Sequence, residues 1–372
     1  MEAITSPAPP PIPVIDLSPL AAPQPDAAAV RQLASALHAA CRDVGFLYIA
    51  GHGLSQGQLD GLTALATRLF DLPQVDKEAL DAARSPLARG YNSLQHGRHS
   101  CTPEDGGPRD AKESFTVGME RQAGDPRPPS PMHGPNQWPP EAVLPGWRVE
   151  AEAAVEQLLA AARLLMRGLA LALQAPPDYF TSRCTDPVAQ MVLFRYPPTG
   201  GTEEQRGCGA HTDCGFLTLV AQDAPGIEVQ LSDGSWHAAP ALPGCLLVNL
   251  GDMAARWAGD TYKSTVHRVH NRSDAATRHS LVFFCNTDFD AVVETMPSCL
   301  PPGVGAAAAE GGGGGSEAAA AVAGGTGSEA AAAGTDGGGS VAAAAGGGVI
   351  GRRHPPIKAG DYILQKLGLM FN

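Results

Sequence analysis

The chain has 372 residues, 44% of them hydrophobic and 5% aromatic, and carries a formal net charge of −12. That is enough apolar material for one large domain or two ordinary ones, while the negative balance argues against a nucleic acid or an anionic membrane as partner, because either rewards a basic face. No run approaches the roughly 18 apolar residues of a spanning helix, so no membrane association is expected. The cysteines (Cys41, Cys101, Cys184, Cys208, Cys214, Cys245, Cys285 and Cys299) form no CxxC pair, which reads as reduced thiols in a reducing compartment. The N-terminus lacks a basic start, an apolar core and any arginine before Arg31, so the expected location is cytoplasmic. Nothing in the sequence calls for more than a monomer.

Residues 1–13 are Pro/Ala-rich and read as a disordered lead-in. PVIDLSPL alternates like a short strand that stops at Ser18-Pro19. Val30, Leu33, Leu37 and Cys41 recur at helical spacing from about Asp26. VGFLYIAGHGL reads as a buried strand, closed by a turn at Gly51 and Gly53 that makes His52 a turn residue and a poor ligand. Leu59, Leu62, Leu65 and Leu69 then mark a second helix that Pro73 ends. Residues 92–146, rich in Pro, Gly and charge, are expected to be loops at an active-site mouth. Within and beside them Tyr91, Lys112, Glu113 and Phe115 read as surface residues, with substrate contact as the alternative.

A long helix is predicted from Trp147 to Leu173, where Ala, Leu, Glu and Arg dominate and Pro176-Pro177 follows. Strand candidates then crowd together at 190–196, 215–222, 226–232, 235–240, 245–250 and 280–286. Short strands at this spacing, with Gly, Pro and Asp between them, indicate a sandwich or jelly roll. Asp233-Gly234 is a candidate two-residue hairpin turn. Residues 303–348 are almost entirely Gly and Ala and are expected to be a flexible expansion inserted into the fold, which costs little closure entropy if its ends were already close.

The chemistry concentrates between His211 and Ser280. His211 and Asp213 stand two apart, so a strand would aim both to one side, and His267 follows downstream. Two imidazoles and one carboxylate on one face of a metal are the ligand set of non-haem Fe(II) oxygenases. His-x-Asp alone is weak, His267 alone could be a core histidine, and Cys208 and Cys214 flank the pair at a spacing unsuited to zinc. Arg278 and Ser280, again two apart, add a guanidinium fork beside a hydroxyl, which suits capture of a carboxylate.

The pattern HTDxGxxTL…GD…HRV…RxS, with IPVIDLS, DVGFLYIAGHGL and RGY in the front portion, resembles the 2-oxoglutarate/Fe(II)-dependent dioxygenases of the isopenicillin N synthase-like family. The resemblance implies a mostly β fold with flanking helices (α+β): a double-stranded β-helix core (jelly-roll, cupin-like), an N-terminal helix-and-strand extension, and a C-terminal helix. It divides the chain into an N-terminal region at 14–120, a core at 121–300 with its catalytic part about 187–290, and a closing segment at 349–372. It also implies that His211, Asp213 and His267 bind Fe(II), and that Arg278, Ser280 and Tyr196 of FRYPP bind 2-oxoglutarate. The family's asparagine two residues before that tyrosine is Phe194 here. The implied reaction consumes O2, with ascorbate a candidate reductant, and oxidises a small organic molecule while 2-oxoglutarate becomes succinate and CO2. Two alternatives share the motif: a 2-oxoglutarate-independent iron oxidase in which Arg278 and Ser280 grip a substrate carboxylate, and an inactive metal-binding or interaction protein tethered by its Gly/Ala tract.

Overall fold

The computed structural model describes residues 12–93, 110–122, 124–128, 130–199, 207–300 and 354–371. Its N-terminal portion runs β1 (Val14–Asp16), α1 (Ser18–Ala21), α2 (Ala27–Asp43), β2 (Phe46–Ala50), α3 (Gln56–Phe70), α4 (Gln74–Glu78), β3 (Gly90–Asn92), β4 (Glu113–Gly118) and α5 (Trp147–Ala172). Then come β5 (Pro187–Tyr196), β6 (Cys208–His211), β7 (Leu217–Gln222), β8 (Ile227–Gln230), β9 (Trp236–Ala239) and β10 (Leu246–Leu250). The chain closes with α6 (Asp252–Trp257), β11 (His267–Val269), β12 (Arg278–Asp288), β13 (Val292–Val293), β14 (Ile357–Lys358) and α7 (Ala359–Phe371).

The strands form an eight-stranded sheet in the order β1-β2-β10-β7-β12-β5-β4-β3 and a four-stranded sheet in the order β6-β11-β8-β9. Every pairing in them except β1 with β2 is antiparallel. Period-2 alternation divides each strand of the large sheet between two cores. In β10, Leu246, Val248 and Leu250 join the core shared with the helices, whereas Leu247 joins the core shared with the small sheet. In β12, Leu281, Phe283 and Cys285 face the helices, while Val282 packs into the other core beside Phe46, Tyr48, Val220, Ile227 and Val269. The two sheets therefore form a jelly roll whose interior faces one another, with α2, α3 and α5 covering the outer face of the large one.

Local chemistry explains these helices. Asp26 caps α2 by accepting from the Ala28 amide at 3.0 Å. Ser55 and Gln58 form a capping box at the start of α3, each orphan amide finding a side-chain oxygen. Trp147, fully buried at the head of α5, donates from Nε1 to the Leu65 carbonyl at 3.0 Å and so ties α5 to α3.

Several expectations need correction. The stretch at 92–146 contains β4, an inner strand of the large sheet, and the end of β3. Tyr91, Glu113 and Phe115 are buried there and not on the surface. Glu113 accepts from Lys77 Nζ at 2.9 Å and from the Tyr91 hydroxyl at 2.7 Å, so a charged strand hides by internal pairing that no single-residue propensity reveals. The Asp233-Gly234 turn is real, with Gly234 at φ +84°. However, Gln230 pairs with Trp236, so residues 231–235 form a longer loop than two residues. The Gly/Ala tract at 303–348 lies outside the described residues. So does the expected lead-in, except for Ile12, which is buried, and Pro13, whose carbonyl accepts from the Tyr48 amide at 2.8 Å.

Candidate metal and carboxylate site

His211 ends β6, His267 begins β11, and the two are cross-strand partners in that antiparallel pair. Directly opposed residues put their side chains on one face, and the imidazole centroids lie 4.3 Å apart. Asp213 follows two residues after His211. Its Oδ1 is 3.7 Å from His211 Nε2 and 3.8 Å from His267 Nε2. One ligand atom from each residue falls within a common 4.8 Å.

Each of these side chains is held by its far end. His211 Nδ1 lies 2.8 Å from the Gly209 carbonyl and His267 Nδ1 lies 3.1 Å from the Thr265 carbonyl. A carbonyl can only accept, so both Nδ1 atoms carry the proton in the neutral rings, and both Nε2 lone pairs point at the shared centre. Asp213 Oδ2 accepts from Thr218 Oγ1 at 2.5 Å and from Asn249 Nδ2 at 2.7 Å, leaving Oδ1 for the same centre. Burial works against the Asp213 carboxylate, yet the His267 and His211 rings and these two donors hold it below its usual range. The rings titrate apart. Burial and the neighbouring His211 push His267 down. Against the same burial, Cys208 and Asp213 raise His211 to about 9, so a cation entering here displaces a proton. The donor set fits a divalent transition metal with three ligands on one side and further positions open.

Beside this cluster lies the second one. Arg278 begins β12 directly opposite Tyr196 at the end of β5, and its guanidinium carbon stands 4.9 Å from that ring's centroid. Ser280 is the next residue of β12 on the same face. Arg278 is 1% exposed, and its hydrogen bonds go to neutral groups: the Ala224 carbonyl at 3.0 Å, Gln222 Oε1 at 2.7 Å and Ser280 Oγ at 3.4 Å. Burial lowers its pKa, with Tyr196 and Asp223 opposing that. A desolvated guanidinium without a carboxylate partner among the described residues is a costly arrangement that an anionic ligand relieves. Gly226 makes room for it: a Cβ there would meet Arg278 Cδ and Nε at 2.8 Å.

A cavity is lined by His211, Asp213 and His267 together with Tyr196, Phe194 and Lys112. Of the six residues singled out in the sequence, these three ligand candidates and Tyr196 line it, while Arg278 stands behind the Tyr196 ring with Ser280 beside it. Cys208 does not enter the ligand set, since its Sγ approaches His211 at Nδ1, 3.8 Å away. Cys214 is likewise outside the cluster. His52 is a turn residue, accepting from the Leu54 amide and contacting the Gly244 carbonyl. Sequence reading did not single out Thr218, Asn249 and Gln222, and it placed Lys112 on the surface. Asn249 had a visible signal, as the polar residue of the otherwise apolar run LLVNL.

Known proteins resemble this chain in sequence and in fold. Residues 12–141 match the family described as non-haem dioxygenase in morphine synthesis N-terminal, and residues 187–287 match the 2OG-Fe(II) oxygenase superfamily. A homoarginine-6-hydroxylase of Oryza sativa subsp. japonica is 36% identical over 300 residues, covering 77% of this chain and 89% of that protein. A 2-oxoglutarate-Fe(II) type oxidoreductase of Emericella nidulans is 33% identical over 301 residues, covering 78% and 84%. The fold is shared with a full-length Neurospora crassa protein crystallised in complex with alpha-KG and thymine, at a TM-score of 0.74 and 23% identity over 100% of both chains. No helix among the described residues is long and apolar enough to cross a membrane.

Proposed function

This chain belongs to the 2OG-Fe(II) oxygenase superfamily and is a 2-oxoglutarate-dependent dioxygenase, and on that premise we propose that it hydroxylates a small organic molecule. His211, Asp213 and His267 hold the iron, and Arg278, Ser280 and Tyr196 hold the far carboxylate of 2-oxoglutarate. The observation that carries the reading is a buried guanidinium hydrogen-bonded to neutral groups and packed on Tyr196, whose ring lines the cavity of the three converging ligand atoms.

When bound, iron and 2-oxoglutarate supply the oxidation, in which O2 gives one oxygen atom to succinate and one to the substrate as CO2 departs. The rest falls to the chain's own side chains. The Gly209 and Thr265 carbonyls fix the tautomer and tilt of the two histidines. Thr218 and Asn249 stop the Asp213 carboxylate from rotating. Arg278, braced by Gln222 and the Ala224 carbonyl, orients the co-substrate before chemistry begins, so little reorganisation remains for the reactive step. Phe46, Val220, Ile227 and Val282 wall the cavity and exclude water that would quench a reactive oxidant.

The homoarginine hydroxylase among the relatives supports a small substrate, without identifying the one used here. Anaerobic titration of the metal-free protein with Fe(II) and then 2-oxoglutarate tests the assignment. A visible charge-transfer band that appears with 2-oxoglutarate and weakens in Arg278→Ala is the expected result. Iron binding without such a band removes the co-substrate assignment, and no iron binding removes both.

A further inference from the structure

Gln222 ends β7 directly opposite Ser280 of β12, so it shares a face with Ser280 and Arg278. Its side-chain amide is held at both ends. Oε1 accepts from Arg278 Nη2 at 2.7 Å, and Nε2 donates to the Ala239 carbonyl of β9 at 2.8 Å. A guanidinium can only donate and a carbonyl can only accept, so the two partners fix the amide in one orientation, and a carboxylate here would set an oxygen against the Ala239 oxygen. The next residue is an acid, and backbone alternation turns it away. Asp223 accepts from the His279 amide at 2.8 Å and lies 3.1 Å from His279 Nδ1. The other hydrogen bonds of Arg278 go to the Ala224 carbonyl and Ser280 Oγ. Among the described residues, then, none of its hydrogen bonds is to a carboxylate.

We propose that Gln222 is a positioning residue that makes the co-substrate subsite selective for an anion, because it holds the Arg278 guanidinium in place without neutralising it. The proposal rests on the assignment of Arg278 to the far carboxylate of 2-oxoglutarate made above. An acidic brace could hold the guanidinium in the same place, but it would compete for it. The ion pair would then form within the chain, and an incoming carboxylate would meet a second negative charge. A neutral amide supplies the geometry alone and leaves the charge-assisted bond to the ligand. Arg278 is buried, and in such surroundings of low dielectric the difference between a neutral and a charged brace is strongly felt. Preference for a far carboxylate, over a 2-oxo acid that ends in a methyl group, then depends on Gln222 acting through Arg278.

The test uses the full chain loaded with Fe(II) under anaerobic conditions, as wild type, Gln222→Glu and Gln222→Met. Two ligands are titrated by calorimetry: 2-oxoglutarate, and 2-oxopentanoate, which chelates a metal through the same groups but ends in a methyl group. Both replacements lose the bond to Ala239 and only one adds a charge, so the comparison separates electrostatics from packing. Gln222→Glu should weaken 2-oxoglutarate about ten- to hundredfold and leave 2-oxopentanoate within about threefold of wild type. Gln222→Met, which adds no charge beside the guanidinium, should weaken 2-oxoglutarate by less than about tenfold and keep the preference for it. A Gln222→Glu protein that binds 2-oxoglutarate as wild type does overturns the proposal, and so does one that weakens both ligands alike. A Gln222→Met protein that has lost the preference overturns it too, so failure of one variant to fold leaves the other to decide. A wild-type protein that binds Fe(II) without preferring 2-oxoglutarate to 2-oxopentanoate defeats the Arg278 assignment, and the inference about Gln222 falls with it.

Discussion

Thr218→Val is the sharpest probe of how the metal centre is held. The replacement keeps shape and burial in β7 but deletes the hydroxyl that lies 2.5 Å from Asp213 Oδ2. A hydrogen bond to a buried charge contributes about 1.5–3 kcal/mol, and each 1.4 kcal/mol is roughly tenfold in affinity. Asn249 still donates to the same oxygen at 2.7 Å, so the carboxylate is loosened, not freed. Fe(II) affinity should therefore fall about 10- to 100-fold, the range typical of partners that orient metal ligands. The assay is an anaerobic competition titration of Fe(II) against a chelator of known affinity, with a thermal melt as control. Because both donors meet on one oxygen, the loss in a Thr218→Val/Asn249→Leu double variant should differ from the sum of the single losses. An Fe(II) affinity within about twofold of wild type, in a Thr218→Val protein that melts normally, would refute the reasoning.

Other expectations are separable from that one. Gly226→Ala places a methyl 2.8 Å from Arg278 Cδ and Nε, so 2-oxoglutarate binding should weaken several-fold while Fe(II) titration stays unchanged. Lys77→Met removes the closer of two cations from buried Glu113, whose Oε2 it meets at 2.9 Å, and leaves Arg195 at 3.7 Å and the Tyr91 hydroxyl. Urea unfolding should show a loss short of the roughly 3–5 kcal/mol of a wholly unpaired buried charge, largely recovered in Lys77→Met/Glu113→Gln. Glu228 is held below the usual glutamate range, since Arg268 and Arg272 outweigh the opposing effect of burial. A depressed folded-state pKa stabilises the fold fully above the unfolded value of about 4.3 and loses that contribution as pH falls through the folded value. The stability gap between wild type and Glu228→Gln should thus be flat near neutrality and close on acidification, and a gap that widened in acid would contradict the pairing.

Long periodic segments were legible from the chain alone. Leu33, Leu37 and Cys41 face the core of α2 as their spacing predicts, and Leu59, Leu62, Leu65 and Leu69 do so in α3. The strands at 190–196 and 280–286 were visible because burial on both faces makes them almost continuously apolar. The strands that carry the histidines were not. CGAH and HRV are too short and polar to register as strands, and only their pairing with one another and with β8 gives them that form. Lys112 and Glu113 misled for a related reason: charge reads as surface unless the partner is known, and Asp110, Lys77 and Tyr91 are partners only in three dimensions. The two-residue offsets drew attention to His211 with Asp213 and to Arg278 with Ser280, and the resemblance added roles for His267 and Tyr196; the fold brings His211, Asp213 and His267 together.

The opposition of His211 and His267 across β6 and β11 makes the metal a reporter of strand register. A slip of one residue in that short pair would turn one imidazole to the far face, and the ligand set would cease to exist. On the β6 side little else prevents it, since β11 has only three residues and its pairing with β6 is already irregular between His267 and Val269, although β8 pairs with all three residues of β11 on the other side. A cation bridging both rings and Asp213 binds the native pairing alone and so stabilises it by mass action. If these three residues hold the iron, loading should depend on that alignment, and a chain with β6 and β11 out of register should bind no metal.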